Sequence, residues 1–280
     1  MRSGRIALLL AIALAGVALV SGLAWLDRMM SAPGPHADVV RIHVYPGRSL
    51  RATLQQIAGA GALRHPRAVE WYVRLRREPV APKAGNYDLP AHASARDIIE
   101  QLHAGRVVLE QLTVIEGWTF AEMRRAIEAH PHIRATLKGE PAAVIMAAIG
   151  HPDQHPEGRF FPDTYRFADG TTDREIYQLA YDMLARTLAA AWESRQPDLP
   201  LRSADEALVL ASIVEKETAL PAERARIAGV FISRLRKGMR LQTDPTVIYG
   251  LGEAYDGDIR RRDLTTDTPY NTYTRAGLPP

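Results

Sequence analysis

The sequence has 280 residues, 46% of them hydrophobic and 24% charged, with a formal net charge of only +3 and no cysteine. That length holds a membrane segment plus one large or two modest domains, and the composition is that of an ordinary globular protein. The absence of cysteine rules out disulfides and thiolate sites and suits an oxidising compartment, while the scattered charge speaks against nucleic-acid binding.

Arg2 and Arg5 precede Ile6 to Leu26, a stretch with no charge and a single serine, Ser21, closed by Asp27 and Arg28. About 20 apolar residues suffice to cross a bilayer as a helix. The arginines place residues 1–5 in the cytoplasm and everything after the anchor at 6–26 on the other side. The run exceeds the roughly 7–15 apolar residues of a cleaved signal peptide, and no small-x-small site follows it directly.

Residues 27–38, with SAPGPH at 31–36, read as a linker rich in proline and glycine. Val39 to Val44 then alternates as a strand and turns at Pro46-Gly47. Ser49 caps a helix through Ile57 with Leu50, Leu54 and Ile57 on one face. Pro66 opens a second helix carrying Val69, Trp71, Tyr72 and Val73 to about Arg77. Ala84 to Leu89 returns as a strand, and Ser94 starts a helix through Leu102. The β-α-α-β order over 39–106 is similar to a LysM-type peptidoglycan-binding module; a generic α+β spacer has the same pattern. The basic clusters RLRR at 74–77 and RRR at 260–262, beside Glu78 and Asp263, read as solvated faces of use near an anionic surface.

Val107 to Ile115 is strand-like, and Glu116-Gly117-Trp118-Thr119 leads into a helix from Phe120 to Ala129. Trp118 and the aromatic stretch GRFFPDTYRF, Gly158 to Phe167, suit either a glycan groove or ordinary packing. His151 and His155 lack a partnering carboxylate motif, so no metal site is read, and no phosphate loop, dinucleotide fingerprint or nucleophile elbow implies a cofactor. Thr172 or Asp173 opens a long helix to about Trp192, with Ile176, Leu179, Ala180, Met183, Leu184, Thr187 and Leu188 inward.

Ser203, with Glu206 three residues on, caps the next helix. Ala207 to Val214 is apolar enough to be buried, and Glu215, Lys216 and Glu217 then follow abruptly. At about 100° per residue, Glu217 returns to the stripe of Leu210, Ala211 and Val214, while Glu215 points to solvent. A carboxyl group on the apolar face holds its proton more readily, which makes Glu217 a candidate general acid. A structural ion pair of Glu217 with Arg224 or Arg226 is the other reading. Pro221 opens a helix with Ile227, Val230, Phe231 and Leu235 on its apolar face, ended by Gly238. The loop LQTDPTVIYG offers Gln242, Thr243, Asp244 and Tyr249, with Asp244-Pro245 also an ordinary turn.

At ASIVEKET, FISRLRKGMRLQTDPTVIYG and PYNTYTRAGLPP, with EGRFFPDTYRF and KAGNY upstream, the chain resembles the YceG-like endolytic murein transglycosylases. The resemblance implies an α+β protein of the bacterial inner membrane: a single-pass anchor, a LysM-like module, and a lysozyme-related, mostly helical catalytic domain over 107–280 in the periplasm. It implies endolytic cleavage of the MurNAc-GlcNAc bond of nascent glycan strands, leaving a 1,6-anhydro-MurNAc end and terminating elongation, with no metal or cofactor. It maps the catalytic glutamate onto Glu217, and Glu217-Thr218 is similar to the Glu-Ser pair of other lytic transglycosylases. Gln242, Thr243, Asp244, Tyr249 and Asn271 are the implied sugar-binding residues. Glycan strands are the partner, and glycan synthases of the same membrane are candidate partners. The family continues beyond Gly-Leu-Pro-Pro at 277–280, so a further C-terminal segment is expected. A non-catalytic peptidoglycan-binding scaffold and a hydrolytic muramidase, with Asp244 as second carboxylate, are the alternatives.

Overall fold

The structure, a computed structural model, describes residues 2–77 and 79–280, with side chains from Ile12 onward. The side chains of Arg2, Arg5 and residues 6–11 of the expected anchor, and Glu78 beside the 74–77 cluster, lie outside the described residues. The chain is mixed α/β, rich in helix, and divides into two units: residues up to Gln111 with Arg166–Thr171, and Leu112–Tyr165 with Thr172–Pro280.

The first unit begins with α1 (Arg2–Ser31), whose apolar side chains from Ile12 to Trp25 stand exposed. Among the described residues it is the one helix long and apolar enough to cross a membrane. The helix continues past Asp27 and Arg28 to Ser31, and residues 32–38 follow without regular structure, mostly exposed apart from the buried His36. Met29 and Met30 extend the apolar surface, so the helix gains by continuing: Met30 is fully buried in the unit's core, and Asp27 pairs with Arg96 at 2.7 Å. Beyond it, the Gly34 amide donates to the His92 carbonyl at 3.0 Å and the His92 amide to the His36 carbonyl at 2.9 Å. A Cβ on Gly34 would collide with the Ala93 carbonyl, which explains glycine there.

There follow β1 (Val40–Val44), α2 (Leu50–Gly59), α3 (Pro66–Arg76), β2 (Gly85–Leu89) and α4 (Ala95–Ala104). β1 and β2 pair antiparallel, Val40 opposite Leu89 and Val44 opposite Gly85. The alternation puts Ile42, Val44, Tyr87 and Leu89 on the face that α2 and α4 cover with Leu54, Ile57, Ile98 and Leu102. Ser49 caps α2, and Ser94 with Asp97 forms a reciprocal capping box on α4.

β3 (Leu109–Thr113) pairs with β4 (Thr164–Ala168), with α5 (Phe120–Ala129) and the short α6 (Ala142–Ala148) between them in sequence. The second unit continues with α7 (Asp173–Glu193), α8 (Ala204–Glu217), α9 (Pro221–Arg236), α10 (Asp244–Leu251) and α11 (Arg261–Thr265). α8 packs against α7, α9 and α10, and Leu210, Ile213, Val214, Phe231 and Leu241 form the core there. On α7, Ile176, Tyr177, Ala180 and Leu184 are buried, while Leu179 and Thr187, expected inward, are exposed; on α9, Val230 is likewise exposed. Asp173 fixes the start of α7. It is buried and accepts from the Thr136 hydroxyl at 2.5 Å and the Leu137 amide at 2.8 Å.

Candidate active site

The site is built on the C-terminal end of α8. Only Leu210, Ile213 and Val214 of this helix are buried, and Ala211 and Ser212 face solvent, so α8 is half-buried rather than enclosed. Glu217 falls in the angular sector of the buried three at about 100° per residue. Its depth differs from expectation: Glu217 is exposed, although Val214 and Thr218 on either side of it are buried. Glu215 is the more covered of the two and holds Arg224 at 3.0 Å, while Arg226 reaches Glu223 at 3.8 Å. The ion pair considered for Glu217 therefore belongs to its neighbour. At the start of α8, Ser203 accepts from the Glu206 amide, but the Glu206 carboxylate turns to Arg202, so the box is not reciprocal.

The segment expected as a loop after Leu241 is α10, started by Thr243 as N-cap with Pro245 in the first turn. Proline pre-sets a φ that both a helix start and a turn accept, so the Asp-Pro pair is compatible with the helix that packing selects. Threonine at this position ordinarily accepts a bond from the first-turn amides. Here the Thr243 side chain makes no capping bond, and its hydroxyl donates to Glu217 Oε1 instead. Thr243 is held from beneath. Its amide donates to Thr272 Oγ1 at 3.1 Å, Thr246 Oγ1 donates to its carbonyl at 2.8 Å, and the Thr246 and Thr272 hydroxyls meet at 2.9 Å. All three threonines are buried.

Gln242 adopts a left-handed backbone with φ of 54°, unfavourable for a residue with a Cβ. Its amide donates to the Thr272 carbonyl at 3.2 Å, and Arg234 Nη1 donates to Leu241 O at 2.8 Å and to Gln242 Oε1 at 3.2 Å. These bonds hold the turn that delivers Thr243 to Glu217. Asp244 is exposed and accepts from the Tyr273 hydroxyl at 2.6 Å. Burial pushes the Tyr273 phenol up to about 12, helped by its bond to Asp244 and by the negative charges of Asp244 and Glu217.

Glu217, Thr243, Asp244 and Gln242 are thus brought together, with Tyr273 as a further member. Tyr249, farther along α10, stands edge-on to Tyr270 at 5.0 Å; burial, then the charge of Glu157, pushes its phenol to about 12. Asn271 is buried beneath the site. Its Nδ2 donates to the carbonyls of Asp263, Leu264 and Thr266 at 3.0, 3.2 and 2.7 Å, and its Oδ1 accepts from the Tyr273 amide at 2.9 Å. Arg275 and Thr274 brace the same turn through Asp267, whose carboxyl they hold down at about 2.

The aromatics of Gly158 to Phe167 in this unit are taken up by packing: Phe160 stacks on Phe120 at 5.5 Å and meets Tyr177, and the Tyr165 hydroxyl donates to Phe161 O. His151 stacks on Tyr181 at 3.9 Å. Two groups escape sequence reasoning. Tyr273 meets Asp244 only through a contact distant in the chain. Glu157, whose carboxyl is raised chiefly by burial, accepts from the Phe120 amide at 3.1 Å and carries no periodic signal.

The sequence model of the YceG-like family matches residues 42–280. The endolytic murein transglycosylase of Bacillus subtilis is 30% identical over 258 residues, covering 86% of this chain and 71% of that protein. The endolytic murein transglycosylase of Streptococcus pneumoniae is 25% identical over 288 residues, covering 91% of this chain and 52% of that one, so the chain spans about half the length of this relative. A crystal structure of a yceG-like protein from Listeria monocytogenes is 26% identical, covers 86% of this chain and 84% of its own, and superposes with a TM-score of 0.47. The matched segment runs from the first strand to the last residue and takes in the carboxylate, the threonines and the tyrosine of the site, and the chain belongs to the YceG-like family.

Proposed function

We propose that this chain is a membrane-anchored endolytic lytic transglycosylase of peptidoglycan, with Glu217 as its single catalytic acid and base. The observation that carries the reading is the exposed Glu217 carboxyl at the end of α8, bonded by a threonine that forgoes capping its own helix. The names borne by the Bacillus and pneumococcal relatives supply the substrate class.

In the proposed reaction, protonated Glu217 donates to the oxygen linking MurNAc C1 to GlcNAc as that bond breaks, and GlcNAc leaves with a hydroxyl. The resulting carboxylate takes the proton of the MurNAc 6-hydroxyl, whose oxygen bonds to C1 and closes the 1,6-anhydro ring. Glu217 ends as it began, and no water is consumed. The Thr243 hydroxyl bonds Oε1, which leaves Oε2 to carry the proton. Gln242, Asp244 with Tyr273, and Tyr249 flank the sugar, and Asn271 supports them from below through its four bonds.

α1 serves as the single-pass anchor in the inner membrane with its amino end cytoplasmic. Residues 39–106 act as a LysM-like module and 107–280 as a lysozyme-related catalytic domain in the periplasm, where glycan synthases of the same membrane are the natural partners. Mass spectrometry of digested un-crosslinked glycan tests the reading. Anhydro-MurNAc ends, lost in Glu217→Gln, are expected; reducing ends would identify a hydrolase, and intact strands a binding scaffold.

A further inference from the structure

We propose that the C-terminal half of α3 is a second membrane contact: Trp71 and Leu75 enter the headgroup zone of the leaflet from which α1 emerges, and Arg76 and Arg77 meet its anionic headgroups. The proposal rests on the reading of α1 as a membrane span.

The first unit is not tethered to α1 by a free linker. Met30 is fully buried in its core and Asp27 is bonded to Arg96 at 2.7 Å, so the unit sits where the helix leaves the bilayer. The direction of α3 follows from two contacts, one at its start and one a turn later. His65 and Val69, at its start, line a small cavity with Met29 and Pro33. One turn on, the ring of Tyr72 lies 5.9 Å from the guanidinium of Arg96, the residue that holds Asp27. A further turn on, Arg76 lies over the same ring at 5.2 Å. Passing from Val69 to Tyr72 thus follows α1 from Met29 back to Asp27, and α3 continued in that direction heads for the membrane. Four residues past Tyr72 span about 6 Å at ~1.5 Å per residue. That carries Leu75 and Arg76 toward the level at which α1 becomes apolar.

The surface at that level suits a bilayer interface. Trp71 is 69% exposed and Leu75 66%, one helical turn apart on one face, and Trp25 on α1 is 58% exposed. Tryptophan concentrates where hydrocarbon meets headgroups, and arginine extends its charge to phosphate while its stem lies on apolar surface. Arg74 is held by Glu70 at 3.0 Å, whereas Arg76 and Arg77 are exposed and make no ion pair among the described residues. Apolar anchors flanked by exposed arginines fit anionic lipid.

The chain has no cysteine, so a single introduced thiol labels one place. Leu75→Cys carrying an environment-sensitive fluorophore is placed, as the full chain, in nanodiscs of phosphatidylethanolamine and phosphatidylglycerol. Expected are a blue-shifted emission, loss of about half or more of it to a lipid spin-labelled near the headgroup, and shielding from aqueous iodide. The loss should shrink in phosphatidylcholine discs and in the Arg76→Glu, Arg77→Glu double variant; equal loss there would overturn the role given to the arginines. A matching label at Val17 reports the span itself. Failure of a deep lipid quencher to reach Val17 overturns the anchor reading, whereas a quenched Val17 with an iodide-accessible, lipid-insensitive position 75 overturns this proposal alone. Shielding of position 75 by soluble glycan without a bilayer would also overturn it, assigning the face to sugar.

Discussion

Thr243→Val isolates the bond on which the proposed chemistry turns. Valine is isosteric with threonine and suits the buried pocket, and the backbone bonds of residue 243 to Thr272 and Thr246 remain. The α10 cap loses nothing, because the hydroxyl does not serve it. What disappears is the donation to Glu217 Oε1. A hydrogen bond to a charged group contributes ~1.5–3 kcal/mol. At ~1.36 kcal/mol per decade of rate, kcat should fall roughly 10- to 150-fold. KM should stay near the parent value, since the hydroxyl is engaged by the enzyme's own carboxyl, and Thr243→Ser should restore most of the rate. The assay is release of anhydro-MurNAc ends from un-crosslinked glycan with kcat and KM resolved, and a melting temperature as a check on folding. A Thr243→Val enzyme with full kcat, or a Thr243→Ser enzyme as slow as it, would refute the positioning role.

Glu217→Gln should cut the rate by roughly 10²–10⁴, the usual share of a general acid–base group, while Glu215→Gln, which loosens a partly exposed pair with Arg224, should cost a few-fold at most; equal losses in the same glycan assay would sink the assignment. Glu157→Gln should stabilise the protein at neutral pH. Burial raises the folded-state value of this carboxyl above its ordinary 4.5, so its contribution is fully present below 4.5 and is lost as pH rises through the folded value. Melting temperatures of parent and variant should therefore separate on going from pH 4 to pH 8, and a pH-independent difference would contradict this. Met30→Ala should destabilise the first unit by about 2–5 kcal/mol, the range for truncating a buried methionine, read by hydrogen exchange in β1 and β2; unchanged protection would mean that the helix end is not docked.

Helices with a side-chain cap and a clear apolar period were legible from sequence. Ser49, Ser94, Thr119 and Thr172 each mark a start found in the structure, and Pro66 and Pro221 do so for α3 and α9. α6 was not legible, because AAVIMAA has no polar residue to set a period. α10 was hidden because threonine, aspartate and proline in succession are the ordinary chemistry of a turn, and only the packing of Val247 and Thr246 makes a helix of them. Met29 and Met30 sit between a charged pair and a proline-rich stretch, so nothing local distinguishes a docked helix end from a tether. At Glu217, periodicity gave the angular sector, but how much of that sector other elements cover is decided by tertiary packing. The bonds from Thr243 to Glu217 and from Tyr273 to Asp244 join positions far apart in the chain, which no local pattern encodes.

In the proposed membrane-anchored state, the unbroken passage of α1 into the first unit works as a gear between the bilayer and that unit. Because Met30 and Asp27 are locked to the unit's core and to Arg96, the azimuth of the helix in the bilayer is also the azimuth of the unit above it. Inserting one residue between Trp25 and Asp27 would turn the unit about the membrane normal by about 100° and lift it by ~1.5 Å. Inserting about seven would raise it by roughly 10 Å and return it to within about 20° of its original heading. Height and heading can therefore be varied separately, and any pairing of α1 with another helix inside the bilayer fixes the compass bearing of the unit outside it.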